Sequence, residues 1–276
     1  MTARPFAIVS LVLALAGCAA VGPDYQVPEN AAVNRPAASA AFLQAREAAY
    51  RQDAVPGTWW RLYQDPTLDS LIGQALQANT DLRIAAANLQ RAQAVTREAR
   101  GQQQPTLGVE ASPAFGHASG VQAGTPDTRP MDRWSYSSGI SVAYQLDLFG
   151  QIRRGIEAAV GDEQAAQAAY DATRVTVAAE TARAYADICA AGMQLASARR
   201  SVDVQRDSFD AVQRLQQAGR GTALDVSRAR SQLEQLQAEL PPLQASQHTA
   251  LYRLAALTGR APAEMPATLL ACARPP

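Results

Sequence analysis

Gln213-Arg214-Leu215-Gln216-Gln217-Ala218-Gly219-Arg220-Gly221-Thr222-Ala223-Leu224-Asp225-Val226 is the only break between two long helical runs. One run ends near Ala218 and the other begins near Thr222. Gly219 and Gly221 stop the first, since glycine reaches φ > 0 without steric cost. Thr222 supplies a side-chain oxygen to cap the second. Helices joined by so short a loop fold back antiparallel, so this stretch is the tip of a helical hairpin.

Both arms of the hairpin carry an apolar seam. Before the tip it runs Ile188, Ala191, Leu195, Ala198, Val202, Gln205, Phe209 and Val212. After it, the seam resumes at Val226, Ala229, Leu233, Leu236, Leu240, Leu243, Gln247, Ala250, Leu254 and Leu257. Steps of three and four are the left-handed coiled-coil period, and the two arms bury this seam against each other. Pro241-Pro242 falls inside the returning run and predicts a kink or break there, because proline removes an intrahelical bond and clashes with the preceding turn. Upstream, no proline interrupts the chain from about Ile152 to Ala218. Roughly 65 residues of helix would measure on the order of 100 Å. A globular domain of this size has no place for such a rod, so it projects.

Before that helix the period changes. Leu107, Val109, Ala111 and Phe115 alternate with Gly108, Glu110, Ser112 and Gly116. Beyond a Gly- and Pro-rich loop, Trp134, Tyr136, Ile140, Val142, Tyr144, Leu146 and Leu148 alternate with Ser135, Ser137, Gly139, Ser141, Gln145 and Asp147. This is a period of two, with one apolar and one polar face. An amphipathic hairpin packed on a soluble core is one reading. The small residues of the polar face and the aromatics at the end of the apolar face favour a membrane-spanning barrel hairpin with a wet lumen and an aromatic girdle. Asp147-Leu148-Phe149-Gly150 closes the second strand, and helical pattern returns at once.

Earlier still, Asp65-Pro66 is a helix start, with Asp as N-cap and Pro at the first helical position. Leu68, Ile72, Ala75, Asn79, Leu82, Ala86 and Leu89 then recur by fours and threes to about Gln103, one helix of roughly 55 Å. Trp59 and Trp60 stand just before it. Residues 19–56, rich in Ala, Pro and Asn, form an extended lead without sustained period.

The N-terminus is a signal peptide. Arg4 forms a short basic region, and the apolar run Phe6 to Ala16 is too short to span a bilayer as a helix. It ends in Leu15-Ala16-Gly17-Cys18, which resembles the bacterial lipobox, where cleavage leaves the cysteine as an acylated first residue. Several acyl chains hold a protein firmly, where a single one anchors only marginally. Ala19 stands where an Asp would favour inner-membrane retention, so the outer membrane is the expected address. Cys189 and Cys272 are far apart and Cys189 lies in helical pattern, which speaks against a disulfide framework. Cys189 reads as a small buried apolar residue.

Composition narrows the function. The 276 residues carry a formal net charge of zero, which speaks against a nucleic-acid partner, since phosphate binding needs a basic surplus. His117 sits in a loop and His248 on a helix, with neither a nucleophile nor metal-ligand spacing around them. Gly219-Arg220-Gly221 lacks the strand and lysine of a phosphate loop. No catalytic residue, metal site or cofactor is expected beyond the covalent lipid on Cys18.

Taken in order, these segments resemble the first half of the TolC-like outer-membrane factors, in particular the NodT-type lipoprotein branch that serves RND multidrug efflux. The resemblance rests on Leu15-Ala16-Gly17-Cys18, Val21-Gly22-Pro23-Asp24-Tyr25, Trp60 with Asp65-Pro66-Thr67-Leu68, and Gln145-Leu146-Asp147-Leu148-Phe149-Gly150. It continues in Ala218-Gly219 with Leu224-Asp225-Val226, Leu240-Pro241-Pro242-Leu243, and Leu257-Thr258-Gly259-Arg260-Ala261-Pro262. It implies a homotrimeric duct whose protomers share an outer-membrane barrel and a periplasmic helical tunnel. Partners would be outer-membrane lipid, an inner-membrane pump and a periplasmic adaptor (membrane fusion protein). The adaptor would meet the tip at Gly219, Gly221, Leu224, Asp225 and Val226, residues that turn chemistry and seam packing also explain in part.

The expected fold is therefore mainly α with a membrane β-hairpin: a long antiparallel coiled-coil hairpin plus two strands of a transmembrane barrel, half of a TolC-like protomer. The segments are a signal peptide at 1–17, an acylated lead at 18–64, a periplasmic helix at 65–104, and the membrane hairpin at 105–149. The helical hairpin takes 150–258 with its tip at 218–224, and a tail follows at 259–276. Only one repeat is found where the family has two. Two strands per chain would give a trimer about six, fewer than the roughly eight with which side chains already fill a barrel. A truncated product is the favoured explanation; more copies or a strand-donating partner are the others. A pore-less structural tether at the outer membrane, or an inactive fragment, is the alternative function.

Overall fold

The computed structural model of the chain describes residues 21–41, 55–116, 132–272 and 274–275. The signal segment, Cys18 and His117 lie outside the described residues. The main elements are α1 (Pro66–Ala78), α2 (Thr80–Gly101), β1 (Thr106–Gly116), β2 (Arg133–Ala143), α3 (Gln151–Gln217), α4 (Ala223–Ala238) and α5 (Leu240–Leu257), with short 3-10 turns at Trp59–Tyr63, Pro262–Glu264 and Ala267–Ala271. They form two compact units. One takes the described parts of Met1–Glu29 with Gln90–Ala165, the other those of Asn30–Leu89 and Ala166–Pro276.

The second unit is built on the seams. Every seam position from Ile188 to Val212 and from Val226 to Leu257 is buried or half-buried. Its centre joins Leu68 and Ile72 of α1, Ile188 and Cys189 of α3, Leu254 and Ala255 of α5, and Met265 and Leu269 beyond them. Each large side chain so buried contributes about 1.5–3 kcal/mol by leaving water. Asp65 starts α1 by accepting from the Thr67 and Leu68 amides at 2.8 and 3.1 Å. Its other oxygen accepts from the Tyr185 hydroxyl at 3.0 Å, so the cap also ties α1 to α3. Burial first, then that carboxylate, raises the Tyr185 pKa.

The helix expected over residues 65–104 is divided. Asn79 is extended (φ −61°, ψ 131°) and separates α1 from α2. Its side-chain carbonyl accepts from the Leu82 amide at 3.0 Å, and its amide donates to the Leu257 carbonyl at 3.2 Å. The seam position is thus a cap for α2 and a bond to the end of α5. The returning arm is divided at Glu239, directly before Leu240-Pro241-Pro242, where the prolines occupy the first turn of α5 and their missing N–H groups cost no intrahelical bond.

The cysteines correct the sequence reading. Cys189 is fully buried, yet it is disulfide-bonded to Cys272, with Cα atoms 4.7 Å apart. The chain turns back after α5 through Gly259, at φ +66°, where Gly259 and Arg260 donate to the Ala256 and Ala255 carbonyls at 3.2 and 2.9 Å. That Schellman ending returns residues 262–272 over α3 and α5. Gln247, only 5% exposed, donates to the Ile188 and Leu270 carbonyls at 3.4 and 3.0 Å. A Cβ on Gly192 would overlap the Cys272 carbonyl. Residues that look featureless in sequence are stapled into the core.

The first unit pairs β1 and β2 antiparallel, from Thr106 opposite Ala143 to Gly116 opposite Arg133. Where the helical parts of this unit meet, Thr96 of α2 is 2% exposed and donates to the Ala159 carbonyl of α3 at 3.1 Å.

Candidate functional site

Three separate features are candidates for function: the strand pair and its junction with α3 in the first unit, and the helical tip in the second. Each strand has 11 residues, the length a tilted strand needs to cross a bilayer, about 9–11. The register sorts the side chains. Leu107 faces Val142, Val109 faces Ile140, Pro113 faces Tyr136 and Phe115 faces Trp134, all on one surface. On the other, Gly108 faces Ser141, Glu110 faces Gly139, Ser112 faces Ser137 and Ala114 faces Ser135. Phe115 and Trp134 lie 5.3 Å apart, and Trp134 stacks on Tyr136 at 6.2 Å, concentrating the aromatics at the loop end of the hairpin. All 22 strand residues, 11 in each strand, are exposed in the isolated chain. One face is therefore oily and covered by no described residue, and the other is small and polar. No helix among the described residues is long and apolar enough to cross a membrane.

At the junction, Asp147 accepts from the Arg153 amide at 2.9 Å and so satisfies one of the free donors in the first turn of α3. Gly150 takes φ +80°, which lets the chain pass from strand to helix without a Cβ clash. Leu148 and Phe149 remain 58% and 64% exposed. The Phe149 carbonyl accepts from the Val21 amide at 2.9 Å, so the lead docks here. Arg154 is the residue that sequence reasoning missed. It reaches the Val21 and Gly22 carbonyls at 3.2 and 2.7 Å and pairs with Asp24 at 3.0 Å and Glu157 at 2.6 Å. Nothing in Gln151-Ile152-Arg153-Arg154 distinguishes it from its neighbour.

The tip is made by two cap motifs in succession. Gly219 and Arg220 donate to the Gln216 and Leu215 carbonyls at 3.0 and 2.9 Å, with Gly219 at φ +72°, a Schellman ending for α3. Thr222 and Asp225 then form a reciprocal capping box at the start of α4. The Thr222 hydroxyl, then its amide, hold the Asp225 carboxyl below its ordinary pKa. Gly221 differs from expectation: its φ is not positive, and it serves by close approach, since a Cβ would sit 3.3 Å from the Gln216 amide. Val226 is half-buried on the seam. Leu224 is 57% exposed and off the seam, so packing within the chain does not account for it. The structure thus gathers Gly219, Gly221, Leu224, Asp225 and Val226 at one helical turn-around.

His248 lies on α5 with its ring 6.1 Å from that of Tyr252. Among the described residues there is no group of three or more His, Cys, Asp or Glu side chains placed to hold a metal.

An uncovered, two-faced strand pair leading directly into a long helical hairpin defines a class: outer-membrane proteins that combine barrel strands with a helical body. Residues 71–260 match the family described as outer membrane efflux protein, and the chain belongs to that family. It is 30% identical over 258 residues to the fusaric acid resistance protein FusA of Burkholderia cepacia, covering 93% of this chain and 48% of that one. It is likewise 30% identical to the outer membrane protein OprJ of Pseudomonas aeruginosa, covering 85% and 48%. Among solved structures, the outer-membrane channel OprN superposes with a TM-score of 0.76 at 33% identity, over 90% of this chain and 54% of that one. VceC of Vibrio cholerae superposes with a TM-score of 0.66 at 28% identity, over 77% and 52%. The chain thus spans about half the length of the curated relatives it matches and carries one repeat of the family fold. Membership places it in the outer membrane.

Proposed function

We propose that the chain serves as the duct component of a tripartite efflux pump, passing small molecules from periplasm to exterior without chemistry of its own. The observation that carries this reading is the strand register, which puts every large apolar side chain of the pair on one uncovered face and leads straight into α3. In this reading the oily face meets lipid and the small polar face lines water. An inner-membrane pump supplies the energy. A periplasmic adaptor grips the tip, where exposed Leu224 offers an apolar contact beside the Asp225 carboxylate. A homotrimer is the assembly expected where each protomer carries both repeats of the family; β1 and β2 alone would give three chains about six strands, fewer than the roughly eight of a filled barrel. Cys18 carries the lipid, the one covalent addition expected.

The test is complementation. Full-length chain is expressed in a Gram-negative strain that lacks its own efflux duct but keeps pump and adaptor, and dye accumulation is measured. Restored efflux together with heat-modifiable β structure in the outer-membrane fraction is expected. Heat-modifiable protein that never lowers dye accumulation would overturn the duct reading. It would favour a second one, a pore-less tether, which the presence of only β1 and β2 among the described residues keeps in play.

A further inference from the structure

We propose that Arg154 is the positioning residue of an anchor clasp, which fixes the lipid-bearing N-terminus to the strand–helix junction so that acyl chains and barrel strands enter the same leaflet side by side. This rests on the reading of Cys18 as acylated. Arg154 sits in the first turn of α3 with its side chain 23% exposed. Its guanidinium takes two consecutive backbone carbonyls, Val21 at 3.2 Å and Gly22 at 2.7 Å. It adds the Asp24 carboxylate at 3.0 Å, while Glu157 holds the same guanidinium from the helix side at 2.6 Å. The planar fork of arginine suits several acceptors at once; a lysine ammonium cannot match that geometry. The Val21 amide closes the clasp by donating to the Phe149 carbonyl at 2.9 Å.

Past Asp24, Tyr25 and Gln26 line a groove of about 1050 Å³ together with Ile156 and Val160 of α3. Arg154 alone holds three groups of the lead, the Val21 and Gly22 carbonyls and the Asp24 carboxylate. Cys18 precedes Val21 by three residues, a reach of at most about 11 Å. An acylated Cys18 would therefore hold its Cα within that distance of the Val21 Cα, with its lipid entering the bilayer from there. The exposed Leu148 and Phe149 side chains are where apolar groups at an interface would be wanted. The partner chemistry is the hydrocarbon and headgroup boundary of a phospholipid leaflet.

The experiment uses full-length chain in outer membranes, carrying Val21→Cys and Phe149→Cys. With Cys18 acylated and Cys189 bonded to Cys272, the introduced pair holds the free thiols. A short thiol crosslinker is applied with Arg154, Arg154→Lys or Arg154→Ala in the background, and Cys18 acylation is read by mass spectrometry of the N-terminal peptide. Rapid crosslinking with Arg154, slowing roughly tenfold with Ala and less with Lys, is expected from the loss of charge-assisted hydrogen bonds. Asp24→Asn, which keeps the carbonyl contacts, should slow it only slightly. Acylated protein whose crosslinking ignores Arg154 overturns the clasp and leaves the anchor reading standing. Cys18 without lipid, with crosslinking still dependent on Arg154, overturns the anchor reading and the placement in the leaflet.

Discussion

The β1–β2 pair and the core around Ile188 are both written in regular apolar patterns, and they do opposite things with them. Ile188, Leu254 and Ile72 are fully buried, while Ile140, Val109 and Tyr136 are 77%, 75% and 78% exposed. In the helical unit the chain supplies both sides of each contact, so the seam is satisfied within one molecule. In the strand unit the register gathers the apolar side chains just as faithfully, but no described residue covers them. Periodicity reveals that a face exists. Whether that face is buried by protein or by lipid depends on what the rest of the chain can bring to it.

The largest expected break in that comparison is Leu254→Ala. Truncating this buried side chain should cost about 2–5 kcal/mol, read as a lower denaturation midpoint for the helical signal. Ile140→Ala should leave that midpoint unchanged; equal shifts for the two variants would erase the distinction. Next, Cys272→Ser should destabilise the helical unit by roughly 2–4 kcal/mol through loss of the cross-link. Reductant should mimic it in the parent and do nothing further to the variant. A parent protein indifferent to reductant counts against the staple.

Ile140→Arg tests the strand face directly. A charge on a lipid-facing strand near mid-membrane costs about 2–4 kcal/mol, so the fraction inserted in outer membranes should fall steeply. Ser137→Arg, on the opposite face, should insert normally, and comparable losses for both would mean that the face assignment is wrong. The smallest effect belongs to the tip. Thr222→Ala should cost about 1 kcal/mol of local helix stability, visible as faster amide exchange at Leu224 and Asp225. Because Asp225 has a folded pKa below its unfolded value, its contribution is full at neutral pH and starts to decline as pH falls into the ordinary carboxylate range. It is lost as pH falls through the depressed value. Exchange that quickens instead on raising the pH from 5 to 7, after correction for intrinsic rates, would refute the assignment.

Much of this was legible in the residues. Asp65-Pro66, Gly219 and Thr222 act through neighbours two to five positions away, and the Pro241-Pro242 break needs only its own turn. The faces of β1 and β2 follow from alternation alone. What stayed hidden depends on distant partners. Asn79 ends α1 because its amide meets the Leu257 carbonyl, 178 residues along the chain. The Cys189–Cys272 bond spans 83 residues and forms because Gly259 turns the chain back, a geometry no spacing rule contains. Arg154 is one of two adjacent arginines, and only the path of the lead from Val21 to Asp24 tells them apart. Gly221 was read through its backbone freedom, whereas its role is the space it leaves beside Gln216.

The bond between Cys189 and Cys272 has a consequence for how the protein matures. A thiol pair buried in the core needs an oxidising compartment, so its closure belongs after export from the cytosol. During N-terminus-first translocation, Cys189 arrives well before its partner and must wait for it. The chain has three cysteines, and three thiols allow wrong pairings. With Cys18 acylated, as proposed, its sulfur is already spent in a thioether, leaving two thiols and one possible connectivity. Lipid attachment would then serve as a proofreading step for oxidation, removing the competitor before the correct partner emerges.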